Sequence, residues 1–412
     1  MGNVRKSYSV LIENIFSLLT LRALEYVLAF ILVPYLIRVL GPLHFGMIAF
    51  MQGIMEYFRI FVDFGYSLTA PKAIAQAEEQ KIGFLFAKYF YGKVCILIFV
   101  TLVFFAVYNL QRILLGNTID ILLFQVMYCG IIGNVLFPVW FFQGIQKMRY
   151  ITILNMSGRI CTMLGIFLLV KSPDDYILAA FLQACTPLIA GIFSIVWLRK
   201  HYTGLFKWPT IGEIINSYKE GWSIFVSSLA VNLYTATNIV VLGMLTNNVI
   251  VGYYSAADKL ITCVRRGIYA VSDAIYPFIS KMMKDDISHI DTDGHISVVG
   301  LIGCTSLFFF SDTIVKLLFG ADYELTVDVL RILSFVPLAV AISTVFGEET
   351  MLPLNMNSAY SRTLVLAAFF SLLSIFPLCY MWGAEGVAMT MLLTEFLIMI
   401  VMGGLLRKQL FQ

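Results

Sequence analysis

Of 412 residues, 60% are hydrophobic and 13% charged, and the mean hydropathy is +0.87, against roughly a quarter charged in an average soluble domain. A net charge of +3 is too small to imply a nucleic-acid partner. The longest polar gap, Leu198 to Gly221, leaves no room for a sizeable extramembrane catalytic module, so the chain reads as an all-α integral membrane protein.

Apolar runs of roughly 18 to 25 residues recur along the chain, each long enough at about 1.5 Å per residue to cross a hydrocarbon core of about 30 Å. The first, 12–38, follows the basic segment MGNVRKSYSVLIEN and outruns a signal-peptide core, so it reads as a retained span. It carries Arg22 and Glu25 three residues apart on one face. The second, 45–69, contains EYFRIFVDFG, with Glu56, Arg59 and Asp63 at i, i+3 and i+7. Runs follow at 84–108, 120–143, 151–170 and 177–197, and then the polar, basic stretch RKHYTGLFKWPTIGEIINSYKE. The second half has 222–245, 256–280, 296–318, 330–352, 363–381 and 386–405, which brings the expected total to twelve. The eighth run holds Asp258, Lys259, Arg265, Arg266 and Asp273, and the ninth holds Asp312 and Lys316 at ion-pair spacing.

Placing both termini on one side collects most Lys and Arg there, from Arg5 and Lys6 to Arg407 and Lys408, with Arg38, Arg112, Lys171, Lys316 and Arg331 opposite. The positive-inside rule makes that basic side, and hence both termini, cytoplasmic. Superposing Gly46 on Gly252 brings Arg59 onto Arg265 and Pro71 onto Pro277, an offset of 206, half the chain. The expected organisation is therefore two six-helix bundles, 1–200 and 218–412, related by a pseudo-twofold and joined by a cytoplasmic linker at 201–217.

Charges at bilayer depth cost about 2.5 to 3.5 kcal/mol each and normally face a bundle interior or a wet cavity. Any single pair, such as Arg59 with Glu56 or Asp63, fits a plain interhelical ion pair. The adjacent Arg265 and Arg266 cannot share a helix face, and the cation excess of their span suits an anion, best a phosphate bound by guanidinium. Glu348, Glu349 and Glu395 fit either proton or sodium coupling or the capping and solvation of helix ends.

Seven cysteines fall in apolar segments without a CxxC pair. The only histidine cluster, HIDTDGH (289–295), lacks metal-ligand spacing, so no metal is expected. No phosphate loop, GxSxG elbow or HExxH occurs. We therefore expect no enzyme activity and no cofactor, and work driven by a gradient or potential.

The segments PYLIRVLGPLHFGMIAFMQG (34–53), DFGYSLTAPKAIA (63–75), PVWFFQGIQKM (138–148), VGYYSAADKL (251–260) and KLLFGADY (316–323) resemble the O-antigen translocases. These polysaccharide flippases belong to the multidrug, oligosaccharidyl-lipid and polysaccharide exporter superfamily. The resemblance implies a V-shaped pair of lobes around a central cavity in the bacterial inner membrane. It also implies transfer of an undecaprenyl-diphosphate-linked sugar repeat from the cytoplasmic to the periplasmic leaflet. The implied partners are that lipid-linked oligosaccharide, membrane lipid, and a polysaccharide polymerase and chain-length regulator. On that resemblance Arg59, Lys259, Arg265 and Arg266, with Arg22, are expected to contact the headgroup. Tyr57, Tyr253, Tyr254 and Tyr269 are expected to wall the sugars, and Glu25, Glu56, Asp63, Asp258 and Asp273 to serve as charge partners or coupling groups. The alternatives are a cation-coupled multidrug exporter, which would want acidic lumen residues, and a membrane polymerase or acyltransferase. The latter would want a long periplasmic loop or a histidine at membrane depth.

Overall fold

The computed structural model describes residues 2–115, 120–202, 205, 207–282, 294–320, 322–354 and 356–410, and every regular element among them is helical. In chain order, besides two short 3-10 turns (Glu79–Lys81 and Pro173–Asp175), these are α1 (Gly2–Asp63), α2 (Tyr66–Ala75), α3 (Ile82–Leu115), α4 (Ile121–Leu136), α5 (Val139–Gly144), α6 (Met148–Leu169), α7 (Tyr176–His201) and α8 (Ile211–Thr235). Then come α9 (Thr237–Leu245), α10 (Asn248–Met282), α11 (Gly294–Phe309), α12 (Ser311–Leu318), α13 (Glu324–Leu333), α14 (Val336–Thr344), a π-helical turn (Val345–Met351) and α15 (Asn357–Leu410).

Helix starts follow local chemistry. The Asp120 carboxylate accepts from the amides of Leu122 and Leu123 at 3.1 Å each and opens α4. Thr210 and Glu213 form a capping box, the Thr210 amide donating to Glu213 at 2.7 Å, which starts α8 inside the stretch expected as linker. Two long helices are broken at glycines with positive φ, Gly41 (φ 71) in α1 and Gly383 (φ 55) in α15, a region that residues with a Cβ rarely adopt. At the second break a Cβ on Gly386 would lie 1.9 Å from the Leu378 carbonyl oxygen, so the chain doubles back there.

Among the described residues seven helices are long and apolar enough to cross a membrane, or nine if two bent pairs each count as one span. The bent pairs are α8 with α9, at 47°, and the end of α11 with α12, at 75°. Two of the seven, 30–75 and 358–409, run 46 and 52 residues, more than twice the about 20 that one crossing needs. The chain is a multi-pass membrane protein. Many large apolar side chains stay exposed, among them Phe99, Leu102, Leu168, Phe193, Phe369 and Ile400, as expected of surfaces that meet lipid.

The chain divides into two compact units, residues 1–32 with 54–229, and residues 33–53 with 230–412. Segments 33–53 and 218–229 thus each pack with the unit opposite to the lobe expected from the sequence. In the first unit α4 packs on α7, α6 on α7, and α2 on α5. Its interior is aromatic: Phe104 stacks on Phe124 with centroids 4.0 Å apart, and Phe58 meets both edge-on. The first half of α8 belongs here through polar links. The hydroxyls of Tyr66 and Ser217 lie 2.6 Å apart, and the Tyr218 hydroxyl donates to the Gly92 carbonyl at 2.9 Å. Glu220 accepts from Lys88 at 2.9 Å and from the Tyr89 hydroxyl at 2.9 Å.

In the second unit α10 packs on α13 and α14, and α15 on α9, α13 and α14. Residues 33–53 are fastened to it from both sides of the Gly41 break. Arg38 donates to the Leu317 and Leu318 carbonyls at the end of α12, the latter at 2.7 Å, where a cation also complements the helix dipole. The Tyr323 hydroxyl donates to the Ile37 carbonyl at 2.9 Å. Beyond the break two helices cross at glycines: a Cβ on Gly46 would lie 1.7 Å from the Asn248 oxygen, and one on Gly252 would lie 2.0 Å from the Pro42 oxygen. Position 248 is 42 shifted by 206, and 252 is 46 shifted likewise, so the contact is reciprocal under the sequence offset.

Candidate functional site: two clusters of ionic side chains

In the first unit the second half of α1 presents Glu56, Tyr57, Arg59 and Asp63. Arg59 binds both oxygens of Glu56 within its own helix, Nε to Oε2 at 2.8 Å and Nη2 to Oε1, and its side chain is 57% exposed. Asp63 lies within electrostatic range of Arg59 but forms its ion pair with a residue the spacing does not suggest. Its carboxylate accepts from Lys93 Nζ of α3 at 2.8 Å, and the Ser67 amide adds a bond at 3.3 Å. The Lys93 side chain is only 7% exposed, so this pair is the more deeply buried of the two.

In the second unit the expected cations line α10. Arg265 reaches Glu395 of α15, Nη2 to Oε1 at 3.0 Å, with side chains 14% and 6% exposed. Tyr269, one helical turn on, lies within electrostatic range of Arg265. Asp258 lies within electrostatic range of Lys259, Arg265 and Arg266, and Arg266 is exposed. Deeper in this unit the Ser272 hydroxyl donates to Glu349, fully buried on the π-helical turn, a local geometry frequent at functional sites.

The expected set is therefore distributed, Arg59 with Tyr57, Glu56 and Asp63 in one unit, and Lys259, Arg265, Arg266, Asp258 and Tyr269 in the other. Arg22, Glu25 and Asp273 lie outside the residues whose side chains the structure describes, as does the whole of HIDTDGH. Tyr254 is a core residue rather than a wall residue: it is 1% exposed and its hydroxyl points at the Met391 sulfur, 3.9 Å away. Tyr253 packs edge-on against Tyr323. Asp312 and Lys316 pair at 2.9 Å, as their spacing suggests. Lys93 is absent from the expected set, although one lysine amid an apolar run was its visible signal. Among the described residues no group of three His, Cys, Asp or Glu is placed to hold a metal ion.

Residues 11–283 match the model of a family described as polysaccharide biosynthesis protein. The chain belongs to that family. It is 29% identical over 406 residues to a protein of Escherichia coli (strain K12) named as an O-antigen transporter, covering 94% of each chain. It is 22% identical over 402 residues to a Haloferax volcanii protein named as a low-salt glycan biosynthesis flippase, covering 94% of this chain and 80% of that one. Among solved structures it resembles the lipid II flippase MurJ, with a TM-score of 0.72 at 13% identity over 95% of this chain and 87% of that one. An inward-facing multidrug resistance MATE family transporter gives a TM-score of 0.73 at 12% identity, covering 93% of each chain. The fold is thus shared with these two membrane transporters, and the relatives by sequence are named as a transporter and a flippase.

Proposed function

We propose that this protein flips undecaprenyl-diphosphate-linked oligosaccharide repeat units, of the O-antigen kind, from the cytoplasmic to the periplasmic leaflet of the bacterial inner membrane by alternating access. The carrying observation is the near end-to-end likeness to a protein named as an O-antigen transporter. The ionic clusters support it chemically: the headgroup is a diphosphate, and Arg59, Lys259, Arg265 and Arg266 offer guanidinium and ammonium donors for it. Tyr269 near Arg265, and Tyr57 on the same helix as Arg59, offer aromatic and hydroxyl contacts to sugars. Both termini lie in the cytoplasm on this reading, because the basic loops then face inward.

The likeness to a multidrug transporter favours a second reading, export of a cationic compound. That substrate would be repelled by the cation-rich α10, so the anionic one fits better. A strain deleted for its own O-antigen translocase separates the two. The wild-type gene is expected to restore surface polysaccharide, and Arg265→Ala at equal expression to restore at most about a tenth of it, since losing a charge-assisted bond to phosphate costs about 1.5 to 3 kcal/mol. Full restoration by Arg265→Ala would remove Arg265 from the headgroup site, and failure of the wild-type gene would count against the function itself.

A further inference from the structure

We propose that Glu395 is an exchange counter-ion for Arg265, neutralising the guanidinium when no anion is bound and competing with an anionic headgroup for it. The proposal rests on the reading that Arg265 receives a diphosphate.

Three observations carry it. First, the Arg265–Glu395 pair joins two different helices, α10 and α15, with both side chains largely removed from solvent. Charges so placed are sustainable only together. Second, the threonines preceding Glu395 do not solvate it: the Thr390 hydroxyl donates to the Gly386 carbonyl at 3.0 Å and the Thr394 hydroxyl to the Thr390 carbonyl at 2.7 Å. Arg265 is therefore the cation that the carboxylate has been given. Third, the link runs through Nη2 to Oε1 at 3.0 Å, and Nη2 is one of the donors with which a guanidinium forms its parallel bonds to phosphate. A diphosphate can displace Glu395 from the nitrogen it uses.

The consequence concerns turnover. A carrier must bind its cargo firmly enough to load and weakly enough to release it. A resident carboxylate weakens net anion affinity, because each binding event breaks an existing bond, and it speeds release by reoccupying the guanidinium. Glu395 is on this account a positioning residue that sets affinity through Arg265 without touching the substrate.

The test is isothermal titration of full-length protein in nanodiscs with farnesyl diphosphate as the soluble probe, on the wild type, Glu395→Gln, Glu395→Asp, Arg265→Ala and the Arg265→Ala, Glu395→Gln double variant. Glu395→Gln is expected to bind about tenfold tighter while restoring less surface polysaccharide in the deletion strain. Glu395→Asp keeps the charge but draws it back by one methylene. It is expected to bind about threefold tighter, and it decides the matter should the Gln variant not fold. In the double variant the gain should vanish, since no guanidinium is left to free. A purely structural Glu395 gives the opposite sign, weaker binding with a lower melting temperature, and folded variants that bind no tighter than wild type overturn the proposal. If Arg265→Ala binds as wild type does, the headgroup reading falls instead. If it binds more weakly while the Glu395 variants bind no tighter, only the counter-ion role is lost.

Discussion

Lys93 shows how an ionisable side chain at membrane depth is held. Its ammonium is nearly enclosed and lies 2.8 Å from Asp63, thirty positions earlier in the chain. Pairing along one helix is visible in a sequence because i, i+3 and i+4 neighbours share a face, and the Glu56–Arg59 and Asp312–Lys316 contacts were readable that way. Pairing across helices is not, because it depends on how α1 meets α3. That is why Lys93 as the ion-pair partner of Asp63, and Glu395 as that of Arg265, had no sequence signal beyond single charges in apolar runs. Removing one member of a buried pair leaves an uncompensated charge. Because Asp63 keeps 31% exposure, Lys93→Ala is expected to destabilise by about 1 to 3 kcal/mol, less than a fully buried pair would show. The check is thermal unfolding in detergent. The Lys93→Met, Asp63→Asn double variant should recover much of that loss, and additive losses would mean that the two groups do not interact.

The helices themselves were largely legible, since an apolar run of adequate length bounded by Gly, Pro and polar residues has few other solutions in a bilayer. The breaks at Gly41 and Gly383 fall in the gaps between expected runs. Bends inside runs were not legible: the 47° turn between α8 and α9, the 75° turn before α12 and the π-helical turn all preserve hydropathy while rearranging backbone hydrogen bonds. The charged α10, 35 residues long, is not among the helices of the described residues apolar enough to cross a membrane, which is one reason their count falls short of twelve. The Gly46 and Gly252 crossing is a further element-scale feature, hinted at by the 206-residue offset. A methyl group at either position meets backbone oxygen rather than a yielding side chain. Gly46→Ala and Gly252→Ala are each expected to cost about 1 to 3 kcal/mol by overpacking, read as a lower melting temperature in detergent. Unchanged melting in both would mean that the crossing is looser than described.

At the scale of the whole molecule, composition alone separates this chain from soluble enzymes, and its fold is shared with transporters of unlike cargo. Fold therefore does not choose the substrate, and the choice rests on charge. A chain with guanidinium and ammonium groups gathered on α10, and a further arginine on α1, is suited to an anionic headgroup. The most direct test uses proteoliposomes containing the purified protein and an undecaprenyl-diphosphate-linked oligosaccharide, with an added glycosidase that trims only the sugars exposed outside. Trimming should proceed past the outer-leaflet share with wild-type protein and stop near it with Arg265→Ala. Wild-type vesicles that stop where protein-free vesicles stop would contradict it.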